Sequence, residues 1–236
     1  MSNMIFVVIM AIIGAAVFVG LYFGMLKLIE PIDARIKEEQ DEDELPLLDN
    51  DYLTRNPMKA KVLFGILGAV IGAGLTFYYG MNLVMITVFA LFCVLTMITF
   101  IDIARMEIPV ILNILIGVIG LISIFTMPGV SIMSRIIAMF VISVPMLIIV
   151  FIVPGGFGGG DIKMMFAAGL FFGIKAVVAG FFVGLVLGGL YGILLLVMRR
   201  KGRKEHFAFG PFLAVGLGVA VFAGNYLMNL YLSTMF

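Results

Sequence analysis

The chain has 236 residues, 63% hydrophobic and 12% charged, with a mean hydropathy of +1.23 and a formal net charge of +1. Soluble domains run at roughly 45–50% apolar and about 25% charged, so a water-soluble globule is excluded and the bilayer is the solvent that fits this composition. The near-neutral balance offers no global field for nucleic acid, and the lone Cys93 rules out an internal disulfide and any multi-cysteine zinc site.

Taken in chain order, Met4 to Leu26 is the first apolar stretch. It is long enough to span and is followed by acidic residues, not by a small-residue cleavage site, so it predicts a retained span. Residues 27–61 form the one long polar segment, and the run Glu38-Glu39-Gln40-Asp41-Glu42-Asp43-Glu44 reads as solvated loop. That run lacks the ligand spacing and turn glycine of a calcium loop. Residues 1–61 are thus expected as a transmembrane helix plus an acidic cytoplasmic loop, with 62–236 as the membrane core. Further apolar stretches fall at 62–79, 82–101, 108–126, 135–153, 162–174, 176–198 and 209–232. Most reach the ~20 residues that a ~30 Å hydrocarbon layer requires. They are apolar all round, which fits helices and not the alternating strands of a barrel. The expected fold is an all-α polytopic membrane protein, a bundle of about eight transmembrane helices. Gly180, Gly184 and Gly188 have the spacing of a helix-packing surface.

Basic residues set the expected topology. If all eight stretches span, 13 of the 15 Lys and Arg residues fall on one side, and only Arg135 and Lys175 fall on the other. The positive-inside bias makes the richer side cytoplasmic and puts both termini outside. The short stretch 162–174 must count as a span for this pattern to hold, with Lys163 and Lys175 reaching opposite interfaces. The cluster Arg199 to Lys204 reads as a topology anchor that meets membrane lipid, and His206 beside it as a solvated loop residue.

Ten of the 14 acidic residues lie between Glu30 and Asp51, leaving Asp102, Glu107, Asp161 and Glu205 for the rest. Glu205 sits beside Arg203 and Lys204 as a surface charge. Asp102 ends an apolar run, and Asp161 closes Gly155-Gly156-Phe157-Gly158-Gly159-Gly160 and opens the next stretch. Ionisable groups at such positions are functional candidates. Each also has a bland reading: Asp161 as a helix cap, and Asp102 as the partner of Arg105. As a pair on one membrane face they suit acid–base chemistry. Two aspartates in hydrogen-bond reach cannot both ionise, so one activates water while the other protonates a carbonyl oxygen. The glycines permit close approach of an extended substrate.

These residues resemble a known family. Gly158-Gly159-Gly160-Asp161-Ile162-Lys163 is similar to the Gly-x-Gly-Asp-x-Lys motif of type IV prepilin peptidases, and Asp102 ahead of Ile108-Pro109 resembles that family's first aspartate before a hydrophobic-Pro pair. Phe209-Gly210-Pro211-Phe212 is similar to its Gly-Pro stretch. The resemblance covers roughly residues 62–236. It implies a membrane aspartic endopeptidase with Asp102 and Asp161 as the catalytic pair. Gly158, Gly160, Lys163, Pro109, Gly210 and Pro211 would shape the site or bind substrate. Its partners would be type IV prepilin or pseudopilin precursors, whose short basic leaders it would remove at the cytoplasmic face of the cell membrane. The cysteine pairs that many bacterial relatives carry are missing from this chain, so no metal is expected. No cofactor is expected either, and S-adenosylmethionine enters only if those relatives' N-methylation is retained. Where the family often has Asn or Asp after Ile-Pro, Val110 stands here. The reading from another class is a proton- or cation-coupled transporter using the same aspartates in a broken-helix site.

Overall fold

The structure is a computed structural model that describes residues 2–39, 56–153, 156–198 and 207–235. Among the described residues it is built of helices: α1 (Ser2–Glu39), α2 (Pro57–Tyr79), α3 (Leu83–Arg105), α4 (Val110–Thr126), α5 (Ile132–Ile152), α6 (Gly159–Val197) and α7 (Gly210–Met235). Five of them carry windows long and apolar enough to cross a membrane, and α4 and residues Gly210–Gly224 of α7 are shorter apolar helices. The all-α polytopic membrane expectation therefore stands. The chain forms two compact units, Met1–Cys93 and Val94–Phe236.

In the first unit α1 runs well past the expected end at Leu26, so residues 27–39 are helix and not loop. Residues 40–44 of the acidic run, and the cluster around His206, lie outside the described residues. The extension has a visible cause. Phe18, Tyr22, Met25, Ile29 and Ile32 recur at steps of three and four, and all are buried, so one apolar stripe carries the helix through its charged continuation. α1 and α2 meet through glycines. A Cβ on Gly14 would strike the Gly68 carbonyl, and one on Gly72 would strike that of Met10. The backbones approach as small residues at a membrane helix crossing allow.

In the second unit, α4 buries Leu112, Asn113, Ile116, Ile119, Gly120 and Ser123 along one face. Gly120 lets it approach α6, where an added Cβ would lie 3.1 Å from the Leu170 side chain. α7 packs on α6 through Gly216, whose Cβ would meet the Gly180 carbonyl and, at 2.7 Å, the Gly184 nitrogen. The expected packing role of Gly180 and Gly184 is thus met, while Gly188 seats the ring of Phe209.

α6 is not one rod. Gly173 has φ 71° and ψ 176°, which breaks the helix where the sequence placed the joint between stretches 162–174 and 176–198. Glycine is required there twice over, for the positive φ and because a Cβ would lie 2.6 Å from Val130 Cγ1. A break frees backbone groups that need partners. Arg135 supplies most of them. It is fully buried, and its Nη1 donates to the Leu170 and Phe171 carbonyls, both at 2.8 Å. Nη1 also donates to Ser123 Oγ at 2.6 Å. Nη2 donates to the carbonyls of Ser123 (3.1 Å) and Met127 (2.9 Å), and Nε to that of Val130 (3.3 Å). On the far side of the break, the Ile174 N–H donates to Ser134 Oγ at 3.1 Å. Arg135, assigned above to an outer face by charge, is therefore a buried cap on two helix ends. Its guanidinium has five donors in a planar fork, which suits several carbonyls at once.

Candidate active site

Asp102 stands in the last turn of α3, four residues before the αL residue Met106. Met106 N–H donates to the Asp102 carbonyl at 2.8 Å, which closes the helix as an αL cap. The chain then turns through Ile108 to Pro109, the N-cap of α4. The carboxylate of Asp102 points inward, and its Oδ2 accepts from the Gly210 N–H at 2.9 Å. Gly210 is the first residue of α7, where the N–H groups have no partner within the helix. The aromatic run before it fixes this end: Phe209 packs against Phe157 at 5.5 Å between ring centres and sits on Gly188. A Cβ on Gly210 would lie 2.7 Å from Asp102 Oδ2, so only glycine presents its N–H at this distance.

Asp161 stands in the first turn of α6. Its Oδ2 accepts from the Gly158 N–H at 3.2 Å, while its own N–H donates to the Gly158 carbonyl at 3.1 Å. This is the backward half of a capping box, so the bland helix-cap reading of Asp161 is realised in the geometry. It accounts for one oxygen only. Asp161 Oδ1 is buried with no hydrogen-bond partner among the described residues.

Both aspartates are 5% exposed, yet both line one cavity of about 1200 Å³. Asp102 is close enough for its charge to act on Asp161. The remaining wall includes Glu107, Lys163, Phe157, Phe207 and the glycine edge Gly188, Gly189 and Gly192.

The other expected site residues divide by position. Gly158 and Gly160 both line the cavity and act by lacking a Cβ. On Gly158 a Cβ would lie 3.0 Å from Asp161 Oδ2, and on Gly160 it would lie 2.8 Å from Ile108 Cβ. Lys163 is exposed at the cavity. Pro109 starts α4, and Pro211 follows Gly210 in the first turn of α7; neither lines the cavity. Sequence reasoning passed over Asn113, whose Nδ2 donates to the Gly160 carbonyl at 3.4 Å. A buried amide in an otherwise apolar stretch was the signal available.

Apolar helices of membrane-spanning length, with two buried carboxylates meeting at one cavity, define a multi-pass membrane protein with a paired-aspartate site. Residues 89–193, which hold both aspartates, match the family model described as the Type IV leader peptidase family. Among curated relatives, a protein of Bacillus subtilis (strain 168) is 33% identical over 85 residues, 36% of this chain and 34% of that protein. One of Aeromonas salmonicida (strain A449) is 31% identical over 80 residues, 34% of this chain and 28% of its own. One of Neisseria gonorrhoeae is 37% identical over 70 residues, 30% of this chain and 23% of its own. Each is named prepilin leader peptidase/N-methyltransferase. The match thus spans about a third or less of the curated relatives' length. No solved structure matches the chain.

Proposed function

We propose that this chain is an aspartic endopeptidase that cleaves type IV prepilin-like precursors at the cytoplasmic face of the cell membrane. The observation that carries the reading is the meeting of Asp102 and Asp161, 59 residues apart in sequence and on different helices, at one cavity. The match of the segment that holds both to the Type IV leader peptidase family model supports it. The cytoplasmic orientation rests on the segregation of basic residues.

In the reaction, the ionised member of the pair takes a proton from water as the water oxygen attacks the scissile carbonyl carbon. The protonated member gives its proton to the carbonyl oxygen, which leaves a neutral gem-diol. The first carboxyl then protonates the leaving nitrogen, the C–N bond breaks, and the second recovers a proton from the diol. Each aspartate keeps one oxygen anchored by a glycine N–H, so the carboxylates meet the reacting atoms without first reorganising. The edge of Gly188, Gly189 and Gly192 lets a peptide backbone come close to the wall. The proposal covers hydrolysis only, because a carboxylate pair supplies that chemistry and no methyl transfer.

The test is cleavage of a purified prepilin-like precursor by the protein in detergent, wild type beside Asp102→Asn and Asp161→Asn. Asn keeps an oxygen that can accept the Gly210 or Gly158 N–H but cannot cycle a proton. Each variant should fold and lose at least ~1000-fold in rate, within the range for removing a positioned acid or base. Full activity in either one would sink the pair.

A further inference from the structure

Asn113 lies one turn into α4 and is 5% exposed. Its Nδ2 reaches across 47 residues of sequence to the Gly160 carbonyl, which belongs to the peptide bond leading into Asp161. That carbonyl is an acceptor in the ladder of α6, so the amide is a second donor to it and not a remedy for an orphan. Ile108, on the same segment, presses on the same place: its Cβ would lie 2.8 Å from a Cβ on Gly160, and its Cδ1 3.2 Å from one on Gly210. The stretch from Ile108 to Asn113 therefore lies against Gly210, which anchors Asp102, and against Gly160, which leads into Asp161.

Asn113 Oδ1 and Asp161 Oδ1 are the two buried side-chain polar atoms without a hydrogen-bond partner among the described residues. They flank one peptide. An amide buried with its oxygen unpaired costs free energy that a leucine at the same place would avoid. Packing gives no reason for an amide here; the geometry around Asp161 does.

We infer that Asn113 is a positioning residue for Asp161. By fixing the Gly160–Asp161 peptide it holds the Asp161 carboxylate in register with Asp102 across the cavity, although Asn113 itself does not line that cavity. The inference rests on the proposed role of the aspartate pair.

The experiment compares wild type, Asn113→Leu and Asn113→Asp in full-length protein, with precursor cleavage measured across substrate concentration and pH. In Asn113→Leu, kcat should fall on the order of 100-fold, the scale of a misplacement near 1 Å, with KM unchanged. Asn113→Asp is isosteric. Its neutral carboxyl can donate to the Gly160 carbonyl, so it should retain cleavage at acid pH and lose it as pH rises, which shifts the alkaline limb downward relative to wild type. Loss of thermal stability alone, with wild-type kcat and pH profile in both variants, would overturn the inference. An infrared carboxyl band of Asp161, identified by its absence in Asp161→Asn, separates this from failure of the peptidase reading. If wild type cleaves no precursor, a band displaced in Asn113→Leu still supports the coupling. An unchanged band refutes it.

Discussion

Gly210→Ala tests how the site is held. The new Cβ would stand 2.7 Å from Asp102 Oδ2, 3.1 Å from its Cγ and 3.2 Å from Ile108 Cδ1. Ordinary contact begins near 3.4 Å, so the carboxylate must retreat by about 0.7 Å, and the 2.9 Å bond from the Gly210 N–H must lengthen or break. Ile108 is buried and blocks an escape on its side. A displacement of that size should cost on the order of 10- to 100-fold in kcat. Stability should fall by no more than about 1–3 kcal/mol, the scale of one lost hydrogen bond to a buried carboxyl. The expected signature is a well-folded protein that cleaves slowly with unchanged KM. Initial rates of precursor cleavage and thermal unfolding in detergent measure the two parts. A folded Gly210→Ala protein with wild-type kcat would show that the Gly210–Asp102 contact has no bearing on catalysis.

Arg135→Met should lower stability by about 3–5 kcal/mol, the scale of breaking a buried charged network, since five carbonyls and Ser123 Oγ lose their donor. Arg135→Lys should rescue little of it, because an ammonium has three donors for six acceptors; chemical denaturation in mixed micelles reads both, and a wild-type midpoint for the Met variant would refute the capping role. Gly173→Ala should also destabilise, by at least the ~1–2 kcal/mol of left-handed strain, with the Val130 contact adding to it. A thermal unfolding midpoint at or above wild type would show that the break in α6 tolerates a side chain.

Much of the protein was legible in the chain. Composition fixed the solvent, because so much apolar surface has no other place to go. The lengths of the apolar runs fixed the helices, because backbone polar groups in lipid must pair within the segment. The two aspartates stood out for a related reason: charge is expensive there, so the few carboxylates beyond the acidic run were conspicuous. Even the joint in α6 was marked by charge segregation before Gly173 showed how it is made.

The misread parts were those where meaning depends on neighbours distant in sequence. Arg135 looks like any interfacial cation until the carbonyls of Leu170 and Phe171 are seen around it. The helix beyond Leu26 depends on a stripe of buried side chains that outweighs its charged residues. Gly158 and Gly160 have ordinary backbones, and what matters at both is the space their missing Cβ leaves for Asp161 and Ile108. Local chemistry determined which residues could carry the reaction. Only the packing of α3, α4, α6 and α7 decided that Gly210 would hold one carboxylate, Gly158 the other, and Asn113 the peptide that leads into the second. Sequence records each group's cost of burial, whereas the partner that offsets it is chosen in three dimensions.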